Sequence, residues 1–71
     1  MEVRAEMVAN VWKVLVEPGQ AVVEGQELAI LESMKMEIPV PAPASGTVVT
    51  VAVQPDQVVQ EGDLIAELDP A

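Results

Sequence analysis

Residues 11–32 read VWKVLVEPGQAVVEGQELAILE, and residues 48–69 read VVTVAVQPDQVVQEGDLIAELD. The two stretches align without a gap at an offset of 37 positions (48 minus 11), and ten of their 22 positions are identical. The identical pairs are Val11/Val48, Val14/Val51, Val16/Val53, Pro18/Pro55, Gln20/Gln57, Val22/Val59, Glu24/Glu61, Gly25/Gly62, Ala29/Ala66 and Leu31/Leu68. Open solenoids need three or more repeats to bury a core. Two copies therefore predict one closed domain over residues 1–71 with internal pseudo-two-fold symmetry.

Each copy has the composition of short β-strands separated by turns. Residues 11–17 and 47–54 are rich in β-branched side chains, and residues 27–32 and 64–69 are short apolar runs. Six prolines, four glycines and the lack of a long run with a 3.6-residue period disfavour helices. We expect an all-β protein of eight short strands, closed into a flattened barrel or sandwich that limits exposed sheet edges.

The apolar positions of the first strand predict an irregularity. Val11, Val14 and Val16 are spaced three and then two residues apart, and the same spacing recurs in the second copy. A regular strand would keep its inward positions two residues apart. We therefore expect a β-bulge near residues 12–13 and another near residues 49–50.

Alternating prolines mark the segment that leads into the second copy. Pro39, Pro41 and Pro43 lack the N–H group that a central strand must donate. This segment is predicted to be an edge strand or an extended connector.

Composition excludes several kinds of function. The chain has no cysteine and no histidine, so it lacks a thiol site, the commonest metal ligand and the usual general base. A formal charge of −9 opposes binding to nucleic acid or to an anionic membrane. The acidity suits either solubility or docking on enzymes with basic surfaces. The charged start, residues 1–6, has no apolar h-region, so we expect a cytoplasmic protein without a membrane segment.

Lys35 is the residue that stands out between the two copies. It is one of only two lysines and lies in the run Glu32-Ser33-Met34-Lys35-Met36-Glu37, near the midpoint of the chain. A surface lysine often serves solubility alone. The methionine flanks and the position near the expected pseudo-axis instead indicate a site of covalent modification.

The residues around this lysine resemble a known attachment motif. Glu32-Ser33-Met34-Lys35-Met36 is similar to the biotin-attachment motif, in which a lysine between two methionines carries biotin in amide linkage. Residues 19–28 and 42–48 resemble the corresponding parts of the biotinyl/lipoyl attachment domain family. The resemblance covers nearly the whole chain. It implies the family's hammerhead fold, two quasi-symmetric four-stranded antiparallel sheets with the modified lysine on an exposed hairpin tip.

The resemblance also implies a function. Lys35 would carry biotin, attached by a biotin protein ligase, and Met34 and Met36 would flank it as recognition residues. The carrier would be non-catalytic and monomeric. It would pass a carboxyl group from a biotin carboxylase to a carboxyltransferase, with an acyl-CoA as the expected acceptor. In such a carrier the cofactor does the chemistry, and the protein supplies position. Local packing is the alternative role for the two methionines, since methionine fills irregular gaps.

Three alternative interpretations of the function remain open. Lipoate is carried on the same fold, although lipoyl domains typically have Asp before the lysine and Ala after it, so the methionines favour biotin. A non-carrier structural module of this fold would have a long helical hairpin between the halves, and residues 33–47 offer no such helix. An enzyme is disfavoured because the chain has no histidine, no cysteine and no phosphate-binding glycine loop.

Overall fold

The computed structural model describes all 71 residues as eight β-strands without a helix. The strands are β1 (Glu2–Arg4), β2 (Ala9–Val14), β3 (Ala21–Val22), β4 (Glu27–Ser33), β5 (Met36–Pro41), β6 (Gly46–Val51), β7 (Val58–Val59) and β8 (Leu64–Pro70). The all-β prediction is therefore confirmed. No helix that is long and apolar enough to span a membrane is present.

The strands form two four-stranded antiparallel sheets. The first sheet has the order β1-β8-β6-β3, and the second has the order β5-β4-β2-β7. Each sheet takes strands from both copies, since β3 of the first copy pairs with β6 of the second, and β7 of the second pairs with β2 of the first. The proline-rich strand β5 lies at an edge of the second sheet, as its missing N–H donors require.

The two sheets repeat each other at the spacing of the sequence repeat. Strands β2, β3 and β4 begin and end 37 residues before β6, β7 and β8. Backbone hydrogen bonds outside the strands recur in the same way: Leu15 N donates to Leu28 O, and Ala52 N donates to Ile65 O, each at 2.9 Å. The correspondence also reaches β1 and β5, where the identical pairs Val3/Val40 and Ala5/Ala42 are all buried.

Both predicted bulges are present. In the β2–β4 ladder Val11 pairs with Leu31 and Lys13 pairs with Ile30, so Trp12 has no partner. The equivalent shift in the β6–β8 ladder leaves Val49 unpaired. The expected ends of these strands were too late, because β2 ends at Val14 and β6 at Val51. Beyond those residues the backbone already turns toward loops that Gln20 and Gln57 close with their side-chain oxygens.

The core lies between the two sheets and is wholly apolar. All 17 residues of its buried cluster are Val, Ala, Leu or Ile, and no polar or charged side chain is buried. The expected matched pairs are buried in both copies: Val22/Val59, Leu28/Ile65 and Leu31/Leu68. Leu31 lies on β4 three residues before the turn that presents Lys35, so packing of this core fixes the base of that hairpin.

Candidate functional site

Lys35 lies at the tip of the hairpin that joins β4 to β5. Ser33 pairs with Met36, which leaves Met34 and Lys35 as a two-residue turn. Both turn residues have positive φ, 53° for Met34 and 65° for Lys35. Two successive positive φ angles define a type I′ turn, whose twist matches that of the flanking strands. The hairpin therefore projects the lysine while paired strands hold its base.

The two turn residues, Met34 and Lys35, are of types that rarely adopt positive φ. Type I′ turns favour Asn-Gly because a Cβ atom is strained in the left-handed region. Here neither position is Asn or Gly. The remaining non-glycine residue with positive φ is Asp56, on a turn far from Lys35 in sequence. Strained backbone that the surrounding structure imposes is concentrated at functional sites, which singles out this hairpin.

Glycine substitution measures that strain. Met34→Gly is expected to raise the free energy of unfolding by about 1 kcal/mol, because glycine adopts positive φ without a Cβ penalty. Met36→Gly is the control, since it removes the same side chain from a strand position, where glycine costs about 0.5–1 kcal/mol. Urea denaturation of the two variants checks the sign of each change. A Met34→Gly variant less stable than the parent would contradict a strained turn.

Neither methionine is held by the core. Met34 is 91% exposed and Met36 is 63% exposed, and Lys35 is exposed between them. Local packing was one of two predicted roles for these side chains, and it does not account for Met34. Recognition of a partner by Met34 and Met36 stays a prediction.

The two lysines occupy different surroundings. Lys35 forms no ion pair, because the single salt bridge of the molecule joins Arg4 and Glu2 at 2.9 Å. Lys13 instead lies in β2, with its Nζ atom 4.4 Å from the centre of the Trp12 ring. A partner that needs a free amine on a projecting turn finds it at Lys35 and not at Lys13.

The hairpin does not lie on the pseudo-axis, contrary to expectation. An offset of 37 residues carries β4 onto β8, and it carries residues 38–41 of β5 onto residues 1–4. The turn therefore corresponds to the region where the two chain ends meet. The expectation failed because β5, which follows Lys35, belongs to the second copy as the counterpart of β1. The true repeat therefore begins earlier than residue 11, and the identities Val3/Val40 and Ala5/Ala42 were the available signal.

The candidate site is a projecting surface and not a pocket. A groove of about 380 Å³ lies between the edge strands β1 and β5, and none of its lining residues belongs to the run 32–37. No group of three or more His, Cys, Asp or Glu side chains is arranged to hold a metal ion. The arrangement offers a primary amine on an exposed turn, which suits covalent attachment by an enzyme that approaches from outside.

Sequence comparison finds similar proteins over most of the chain. A family model described as "Biotin-requiring enzyme" matches residues 2–68. The biotin/lipoyl attachment protein of Bacillus subtilis (strain 168) is 50% identical over 68 residues, which are 96% of this chain and 93% of that protein. A biotinylated protein TB7.3 homolog of Mycobacterium leprae (strain TN) is 52% identical over 65 residues, 92% of each chain.

Solved structures of two carboxylases contain a similar fold. The Kluyveromyces lactis urea carboxylase matches with a TM-score of 0.90 and 30% identity, over 97% of this chain and 6% of that enzyme. A single-chain, multi-domain long-chain acyl-CoA carboxylase matches with a TM-score of 0.87 and 35% identity, over 93% of this chain and 6% of its own. The present chain thus corresponds to a small part of each carboxylase.

Proposed function

Because this chain belongs to the family of biotin/lipoyl attachment domains, we propose that it is a biotin carboxyl carrier with its cofactor on Lys35. The observation that carries the proposal is the Met34-Lys35-Met36 run at a two-residue hairpin turn, where the lysine is exposed and free of ion pairs. Two relatives whose names mention biotin match over more than nine-tenths of the chain, which supports biotin as the cofactor.

The residues present fit a cofactor attached through its carboxyl group. The Lys35 amine would attack the carboxyl carbon of a biotin that the ligase has activated with ATP, so that the amide bond forms as the bond to the ATP-derived phosphate group breaks and that group leaves. No neighbouring side chain pairs with Lys35 as a base, so the ligase would supply the group that accepts the proton released when the amide bond forms. When attached, biotin would supply the carboxyl-carrying chemistry, and the protein would supply position.

The proposed partners follow from this role. A biotin carboxylase would load the carrier, and a carboxyltransferase would receive the carboxyl group. The similarity to part of a long-chain acyl-CoA carboxylase supports an acyl-CoA acceptor. The chain itself would be a non-catalytic, monomeric and cytoplasmic protein in this system. Lipoate is the alternative cofactor, since the family and the name of the Bacillus subtilis relative include it.

Ligase-catalysed labelling tests the proposal. The purified chain is incubated with a biotin protein ligase, biotin and ATP, and its intact mass and proteolytic peptides are then measured. We expect one added biotin, on the peptide that contains Lys35, and none on Lys13. Biotin on Lys13, or no incorporation by any biotin protein ligase, would contradict the assignment. A native protein that carries the mass of lipoate would favour the alternative.

The methionines are expected to set the choice of cofactor. Met34→Asp combined with Met36→Ala gives Lys35 the flanks typical of a lipoyl site. Because both side chains lie outside the core, the double variant should fold normally while its rate of biotinylation falls at least about tenfold, equivalent to about 1.4 kcal/mol of recognition. Parallel assays with a biotin ligase and a lipoate ligase measure both rates. Equal biotinylation of variant and parent would show that the methionines do not discriminate.

A further inference from the structure

The two sheets have equivalent backbones but carry different side chains on their outer faces. In the second sheet Lys13 pairs with Ile30, and Ile30 pairs with Pro39, so these three residues form one row across β2, β4 and β5. Directly paired residues present their side chains on the same face. That face points outward, because the neighbours of Ile30 along β4, Ala29 and Leu31, are buried.

Trp12 extends this row. It is the unpaired residue of the β2 bulge, it is 41% exposed, and its ring lies 4.4 Å from Lys13 Nζ. A cation over an indole face is favourable and keeps both side chains on one surface. We call the set Trp12, Lys13, Ile30 and Pro39 the tryptophan row. It contains the single aromatic residue of the chain.

The corresponding positions of the first sheet show whether folding requires apolar side chains there. An offset of 37 residues takes the tryptophan row to Val49, Thr50, Glu67 and Glu2, and Glu2 pairs with Glu67 as Pro39 pairs with Ile30. The first sheet therefore has the same bulge and the same ladder with two carboxylates in place of Ile30 and Pro39. Apolar side chains in this row are not needed to form the sheet, so those of the tryptophan row call for another explanation.

The tryptophan row lies within reach of an enzyme that acts on Lys35. Ile30 is four residues from Met34 along β4, or about 13 Å at 3.3 Å per residue. A standard protein interface buries about 800 Å² on each partner, which corresponds to a disc of about 16 Å radius. An enzyme that binds the lysine amine itself must centre near the tip, so the row falls inside its footprint. An enzyme that acts on the far end of an extended biotinyl arm has no such need.

The surface between the row and the tip is acidic. Glu32 and Glu37 face each other across β4 and β5, and neither forms a salt bridge. Like charges directly opposite are destabilising within a sheet, and basic groups on a partner would relieve the repulsion. The apolar members of the row, Trp12, Ile30 and Pro39, lie beside these carboxylates and are complementary to a surface with an apolar centre and basic residues at its rim.

We propose that the tryptophan row is a docking surface for the biotin protein ligase, which contacts it with an apolar patch bordered by Lys or Arg side chains. This inference rests on the proposed function, because it names the partner surface of the same hairpin. The row acts on binding of the carrier and not on the chemistry at Lys35.

The pseudo-symmetry supplies the test variant. Trp12→Val and Ile30→Glu give two positions of the row the residues that the first sheet has there, Val49 and Glu67. With a biotin protein ligase that labels the parent, we expect kcat/KM for the carrier to fall at least tenfold through KM, with kcat at saturation unchanged. The matched control, Val49→Ala with Glu67→Ala on the first sheet, should stay within twofold of the parent. Thermal melts of both variants establish that they are folded.

The outcomes separate this inference from the proposed function. Parent and double variant labelled with equal kcat/KM would overturn the docking surface while leaving Lys35 as the attachment site. An unlabelled parent would overturn the proposed function itself. If the double variant melts early, Trp12→Val alone carries the test, since it adds no charge. A defect confined to carboxylation of the biotinylated protein would also overturn the assignment to the ligase. Labelling of the parent should slow as salt rises, and a rate indifferent to salt would contradict the basic rim.

Discussion

Lys35→Arg is expected to abolish incorporation of biotin. Arginine keeps the positive charge and most of the length of lysine, but its guanidinium stays protonated in proteins and offers no nucleophilic amine. The backbone of the hairpin should be unaffected, because Arg and Lys have the same Cβ penalty at positive φ. The measurement is intact mass after exhaustive treatment with biotin protein ligase, biotin and ATP.

The second lysine provides the control for this loss. Lys13→Arg retains a cation that can lie over the Trp12 ring, and it leaves the hairpin of Lys35 unchanged. We expect this variant to accept one biotin, as the parent does. Label that persists in Lys35→Arg would mean that another group is modified, and the carrier assignment would then fail at its central residue.

Truncation of the matched core leucines should unfold much of the protein on mild heating. Leu31 and Leu68 are each 2% exposed, and Leu→Ala at buried positions costs about 2–5 kcal/mol. At 71 residues, typical stabilities per residue give a total of roughly 4–11 kcal/mol. The melting temperature should fall by at least about 8 °C in each variant. Biotinylation should fall with it at the higher temperature, although Lys35 is unchanged, because the hairpin loses its base.

The pseudo-symmetry sharpens this prediction. Leu31→Ala and Leu68→Ala remove equivalent side chains from equivalent strands, so their melting temperatures should be similar. Val23→Ala is the control, since Val23 is 63% exposed and its truncation should be nearly neutral. A melting temperature close to that of the parent for either leucine variant would contradict the burial of that residue and the register of the fold.

The features of the fold that depend on spacing could be predicted from the sequence. The interval from Val11 to Val14 required an extra residue in the strand, and the structure has the bulge at Trp12. Pro39 and Pro41 were compatible with an edge strand or an extended connector, and β5 is an edge strand. Both follow from local rules, namely side-chain alternation and missing N–H donors.

The exchange of strands between the copies could not be predicted in this way. Strand β3 pairs with β6 of the other copy, with Ala21 opposite Thr47. Because the two copies have the same apolar pattern, pairing within a copy and pairing between copies would bury similar side chains. Only the geometry of the connections decides between them, and these short strands of two residues have no pattern of their own.

The candidate site was predictable in position but not in conformation. The midpoint location and the methionine flanks singled out Lys35, which lies on the exposed turn between β4 and β5; its modification stays a prediction. The type I′ conformation could not be predicted from the sequence, because Met34 and Lys35 are not the residue types that such turns favour. The tryptophan row was hidden as well, since its distinctive character appears only when the register shows which residues of the first sheet take its place.

The pseudo-two-fold relation also decides how the molecule can be tethered. It carries the Lys35 turn onto the place where β8 ends and β1 begins, and there the Met1 ammonium donates to Leu68 O at 2.7 Å. Points that a two-fold rotation exchanges lie on opposite sides of its axis. A linker attached to either end of the chain would therefore join the molecule on the side opposite Lys35. The length and stiffness of that linker, and no change within the sheets, would then set how far the Lys35 turn can reach.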